Sequence, residues 1–177
     1  MAGILVQSGD WYRLFTAMFV HVTPIHILVN MVSLWSLFLV EMVYGSVPYL
    51  ILYLFSGFVG NLLSVLLLNP YDVSAGASGA IFGVFGAAVA LGFQGVFPKV
   101  ARNQMLLLLA INIIYDLTNP QIDLVGHLGG LASGLLFATL YRKLRRYPKS
   151  MRGVAMALSG ATVLALCLTL LYSPQIS

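Results

Sequence analysis

Six long apolar stretches, residues 24–43, 48–68, 77–97, 102–118, 124–141 and 153–172, take up most of this 177-residue chain. A helix needs about 20 apolar residues to cross the hydrocarbon core of a bilayer. Only 8% of the residues are charged and 60% are hydrophobic, whereas a soluble domain carries about 25% charged residues. Such a chain cannot coat a water-facing surface. Lipid offers the backbone no hydrogen bonds, so the spanning segments must satisfy their own. The expected fold is all-α, a polytopic membrane helical bundle of six spans. The separators carry turn chemistry: Gly45-Ser46-Val47-Pro48, Asn69-Pro70-Tyr71-Asp72, Pro98-Lys99 and Thr118-Asn119-Pro120. The fourth stretch is the weakest, trimmed by Arg102, Asn103 and Gln104 at one end and by Asp116 at the other.

Charge sets the expected orientation. Six of the nine Lys and Arg fall between Arg142 and Arg152, and clustered positive charge marks a cytoplasmic loop. Lys99 and Arg102, two spans earlier, fall on the same side. The loops 69–76 and 119–123 then face outside and contain no Lys or Arg. On this count both termini lie outside. The net charge of +4 is a topology signal, with anionic lipid as a second contact, and no nucleic-acid partner is expected. The single Cys167 excludes an intramolecular disulfide and a cysteine-based metal site. Residues 1–13 lack the basic and apolar regions of a cleavable signal peptide. Thr23 and Pro24 read as the N-cap and first residue of a helix. Trp11, Tyr12 and Arg13 ahead of them read as an anchor in the outer interface.

Polar residues gather at one depth. In this orientation the first, third and fifth spans enter from outside, and each carries its unusual polar groups near that end. His26 and Asn30 are four apart on one helical face. Ser78 opens the third span in Gly76-Ala77-Ser78-Gly79-Ala80-Ile81-Phe82-Gly83, and His127 opens the fifth in Gly126-His127-Leu128-Gly129-Gly130. Ionisable groups at membrane depth are costly and mark function. Gly79, Gly83 and Gly86 form one stripe, and Gly126, Gly130 and Gly134 another. Small residues let helix backbones approach closely, which can bring the Ser78 hydroxyl to the His127 imidazole. A helix starting near Ser78 would aim free N–H groups at a developing oxyanion.

These pieces, with Arg13-Leu14-Phe15-Thr16 and His21 ahead of them, are ordered as in the rhomboid intramembrane serine proteases. The chain resembles that family from residue 10 to about 141. The resemblance implies that Ser78 is the nucleophile and His127 the general base. It implies that His26 and Asn30, with the Ser78 N–H, stabilise the oxyanion. His21, Gly76, Gly79 and Phe82 support them. It implies a Ser-His dyad with no third carboxylate, so Asp116, near an outer helix end, reads as a solvated or capping residue and Asp123 as no part of a triad. It implies transmembrane protein substrates, cleaved with no cofactor. The histidines, without a carboxylate near them, are a weak zinc signal, and no metal is expected.

The expected organisation is an outer interfacial segment at 1–23, a five-span catalytic membrane core at 24–144, a basic cytoplasmic loop at 145–152, and an additional helix and tail at 153–177. The expected location is the plasma membrane of a prokaryote, with the site open to the extracytoplasmic side. The chain departs from the family in three ways. The spanning helix that precedes the family's Trp-Arg loop is expected to be absent. The Trp-Arg pair is interrupted as Trp11-Tyr12-Arg13. Phe82 stands where bacterial members often have Tyr. Two other readings compete with a protease. One is an inactive rhomboid-like protein that binds membrane clients. The other is a transporter using His26 and His127 as a proton relay, which needs polar residues continuing to the inner side.

Overall fold

The computed structural model of the chain describes residues 1–144. The expected basic loop at 145–152 and the span at 153–172 lie outside the described residues. Eight helices follow in order: α1 (Gly3–Gln7), α2 (Arg13–Thr16), α3 (Pro24–Ser36), α4 (Phe38–Tyr44), α5 (Ser46–Leu67), α6 (Ser78–Phe93), α7 (Lys99–Thr118) and α8 (Leu124–Leu144). A short 3-10 turn, Ala17–Phe19, continues α2. There is no β-strand among the described residues. The fold is an all-α membrane helical bundle. Helices α5, α7 and α8 are each long and apolar enough to cross a bilayer.

The entry to α3 follows from its sequence. The Thr23 hydroxyl accepts the His26 N–H at 3.1 Å, and Pro24 takes the first helical position. This cap lets the chain turn sharply: Arg13–Phe19 and Pro24–Ser36 meet at 92°. The incoming segment is tied to the bundle. The Asn61 side-chain amide on α5 donates to the Leu14 carbonyl at 2.8 Å, and Phe15 stacks on Phe58 with centroids 4.7 Å apart. Trp11 and Tyr12 stay exposed, while Arg13 pairs with Asp10 at 2.8 Å.

Two spans differ from expectation. The stretch 24–43 is not one helix but breaks at Leu37, where tight three-residue turns replace the α-helical bonds: the Leu37 N–H donates to the Leu34 carbonyl and the Val40 N–H to the Leu37 carbonyl. Leu37 is buried at this joint. The stretch 77–97 ends as a helix at Phe93, because Gly95 takes a φ of +76° and turns the chain away.

Helix α6 lies at the centre. Every residue from Ala80 to Gly92 is buried, and a helix apolar on all sides belongs in an interior. Its composition explains how it is enclosed so tightly. A Cβ at Gly130 would collide with the Gly79 carbonyl, and one at Gly134 with the Gly83 carbonyl. A Cβ at Gly60 on α5 would come within 2.5 Å of the Gly126 carbonyl. The two predicted glycine stripes therefore face each other, and α6 packs more intimately on α8 than on any other helix. Helix α7 is different. It leans on α6 through Met105 and Leu109 and turns Leu107, Ile111, Ile114 and Leu117 outward as a lipid-facing surface.

The glycine contacts meet backbone, which cannot swing away. Gly134→Ala should therefore destabilise by the upper part of the usual overpacking range, about 2–3 kcal/mol. For a chain of this size that is roughly 5–10 °C in the thermal unfolding midpoint, measured in detergent. Leu128→Ala, on the exposed side of α8, should move it far less.

Candidate active site

The short first turns of α6 and α8 hold the two principal groups. Ser78 is the first residue of α6, half-buried, with no side chain capping that helix end. His127 sits in the first turn of α8 and is 7% exposed. Because the glycines bring these helices together, the Ser78 hydroxyl lies 2.6 Å from Nε2 of His127. Phe82, one turn below Ser78, stacks on the imidazole with centroids 4.3 Å apart and planes 13° apart. The ring is thus fixed by packing on its face and by hydrogen bonding at its edge.

Gly76, with a φ of +129°, makes the irregular entry to α6. Its N–H donates to the Ala17 carbonyl at 3.0 Å, which ties the loop to the 3-10 turn. A side chain here would strike the His26 ring, 2.6 Å from Cε1, and would lie 3.7 Å from the Asn30 amide nitrogen. His26 and Asn30 therefore line the loop two residues before Ser78, as their four-residue spacing anticipates. The Asn30 amide nitrogen is buried and makes no hydrogen bond among the described residues, and neither does Nε2 of His21. His21 packs edge-on to His26 at 5.1 Å between centroids. The backbone of Gly79 passes against Gly126. The eight residues singled out from the sequence, His21, His26, Asn30, Gly76, Ser78, Gly79, Phe82 and His127, thus form one connected region.

The expectation for Asp116 is overturned. This carboxylate is neither solvated nor a cap: it is 6% exposed, and its Oδ2 lies 2.6 Å from Nδ1 of His127. The capping carboxylate is its neighbour in sequence, Asp123, which accepts the Gly126 N–H at 2.7 Å and the Ser64 hydroxyl at 2.5 Å. A signal for Asp116 existed. Met105, Leu109 and Asp116, the buried residues of α7, fall on one helical face at a 3.6-residue period. The Asn119-Pro120 turn then returns the chain to α8 at the same depth. The premise that no carboxylate stands near the histidines also fails at His127. No group of three or more His, Cys, Asp or Glu suited to a metal occurs among the described residues.

The Rhomboid domain model matches residues 8–144. This chain belongs to the rhomboid family. It is 35% identical to Rhomboid protease GluP of Bacillus subtilis (strain 168) over 171 residues, 95% of this chain and 32% of that protein. It is 33% identical to Rhomboid-like protease 3 of Toxoplasma gondii over 167 residues, 90% of this chain and 61% of that protein. It is 35% identical to RHOMBOID-like protein 1 of Arabidopsis thaliana over 143 residues, 78% of this chain and 36% of that protein. The chain thus spans about a third to three fifths of the length of these rhomboid relatives.

In this rhomboid, Asp123 fixes the start of the helix that carries His127. Replacing an N-cap acid by Ala costs about 1–2 kcal/mol. Asp123→Ala should lower the unfolding midpoint accordingly, and calorimetry or thermal scanning in detergent reads that loss directly.

Proposed function

We propose that this chain is an intramembrane serine endopeptidase that hydrolyses peptide bonds in or near transmembrane segments of membrane-protein substrates. The observation that carries this reading is the 2.6 Å contact between the Ser78 hydroxyl and Nε2 of His127. A hydroxyl is a weak nucleophile until an adjacent base takes its proton. Ser78 attacks the scissile carbonyl as His127 accepts that proton. The negative oxygen that forms meets the Ser78 N–H at the uncapped start of α6, the Asn30 amide and His26. Donors already aimed at a developing charge need no reorganisation, which is the source of their effect. His127 then protonates the departing amine, and water hydrolyses the acyl-enzyme by the same route in reverse.

Depth supports the substrate class. Sixteen residues of α6 rise about 24 Å, less than the roughly 30 Å hydrocarbon thickness. With its other end at the inner boundary, Ser78 lies beneath the outer membrane surface. A substrate helix hides its carbonyls in its own hydrogen bonds, so it must unwind there, which favours segments with small, helix-weakening residues. The arginine and lysine pattern supports a site open to the extracytoplasmic side.

The competing readings fit less well. A proton relay needs polar groups below the site, yet α6 is apolar from Ala80 to Gly92 and the Ser133 hydroxyl on α8 is spent on the Gly130 carbonyl. An inactive client-binding relative has no need of a serine and a histidine in hydrogen-bond contact. The purified protein should cleave a labelled transmembrane substrate, and Ser78→Ala and His127→Ala should abolish cleavage. A fluorophosphonate should label wild type and not Ser78→Ala. Asn30→Ala should retain labelling but lose about 10²–10³-fold in kcat. Cleavage that survives Ser78→Ala removes this assignment.

A further inference from the structure

We infer that Asp116 is a positioning residue for His127, so that the Ser-His pair works here with Asp116 orienting the imidazole. This rests on the protease reading above and departs from the two-residue arrangement that the family resemblance implies. The geometry is direct. The two nitrogens of one imidazole each have a partner at 2.6 Å: Nε2 faces the Ser78 hydroxyl, and Nδ1 faces Oδ2 of Asp116.

The chemistry of these partners fixes the proton. An ionised carboxylate can only accept hydrogen bonds. Nδ1 must therefore carry the hydrogen and donate it to Asp116. A neutral imidazole has one N–H, so Nε2 is left with its lone pair toward Ser78. That is the tautomer a general base requires. Once His127 has taken the serine proton it becomes a cation, and the adjacent carboxylate compensates the new charge. No proton needs to reach Asp116 in the cycle.

Burial argues that this placement is maintained by the pair itself. A lone buried carboxylate is strongly unfavourable, yet the Asp116 side chain is 4% exposed. No Lys or Arg pairs with it among the described residues. The other ionisable groups of the region are engaged elsewhere or on the far side of the site. Asp123 is held by Ser64 and the Gly126 N–H, and His26 packs on His21 beside Gly76. Among the described residues Asp116 alone reaches Nδ1. It stands on a helix that otherwise turns mostly outward, at the end of the face formed by Met105 and Leu109.

The test separates positioning from mere support. In histidine-labelled protein, 15N NMR should show wild-type His127 protonated at Nδ1, with a strongly deshielded Nδ1 proton, assigned by its loss in His127→Asn. Asp116→Leu should abolish that proton signal and redistribute the tautomers. Its kcat should fall by about 10²–10⁴-fold, with KM within about twofold of wild type. Asp116→Glu, which keeps the acceptor, should recover part of both signals. Thermal scanning checks that each variant is folded. A wild-type His127 protonated at Nε2, a Nδ1 signal unchanged in Asp116→Leu, or wild-type kcat in that variant overturns the inference. Should wild-type protein fail to cleave at all, the protease reading falls, and the tautomer measurement still decides whether Asp116 orients His127.

Discussion

The contact between α6 and α8 is the constraint on which the rest depends. Membrane helices gain no hydrophobic driving force from one another, so close association relies on van der Waals contact and polar bonds. Here the contact is backbone against backbone, with Gly130 and Gly134 lying on the carbonyls of Gly79 and Gly83. This closeness brings a serine at the head of one helix within 2.6 Å of a histidine at the head of the next. Bulkier residues along the seam would separate the two heads by more than a hydrogen bond can span. The packing and the chemistry are therefore one feature read at two levels.

The second determinant is where helices begin. Ser78 starts α6 because Gly76 can adopt a φ of +129° just before it. His127 lies in the first turn of α8 because Asp123 caps that turn. Helix starts leave backbone N–H groups unpaired, and here one such start coincides with the proposed nucleophile. The proposed depth of the site then follows from a central helix shorter than α5, α7 and α8. The proposed chemistry of this bundle is concentrated at the ends of helices, while the middle of α6 is apolar and closely packed.

Much of this was legible in the sequence. Composition forces a membrane bundle, the glycine periods foretell the α6–α8 seam, and the polar groups at the starts of α3, α6 and α8 gather in one region. What escaped was of two kinds. The joint at Leu37 carries no proline or glycine, and hydropathy is blind to a local tightening of the helix when both sides are apolar. The placement of Asp116 was missed because its role is set by rotation about the α7 axis. On hydropathy alone, an acid near a helix end reads as solvated. Only the face shared with Met105 and Leu109 indicates that it turns inward. An expectation of two groups, drawn from resemblance, drew attention away from a carboxylate that lies 2.6 Å from the His127 ring.

The hydrogen bond from the Gly76 N–H to the Ala17 carbonyl has a mechanical meaning. It leashes the loop before Ser78 to a segment that meets α3 at 92°. A displacement of that turn must either snap the leash or drag Gly76 with it, and the proposed nucleophile is two residues away. The Ser78 hydroxyl is thus coupled to the preceding arm of the chain as well as to its imidazole neighbour. A push on that arm reaches Ser78 through one hydrogen bond and then along the backbone.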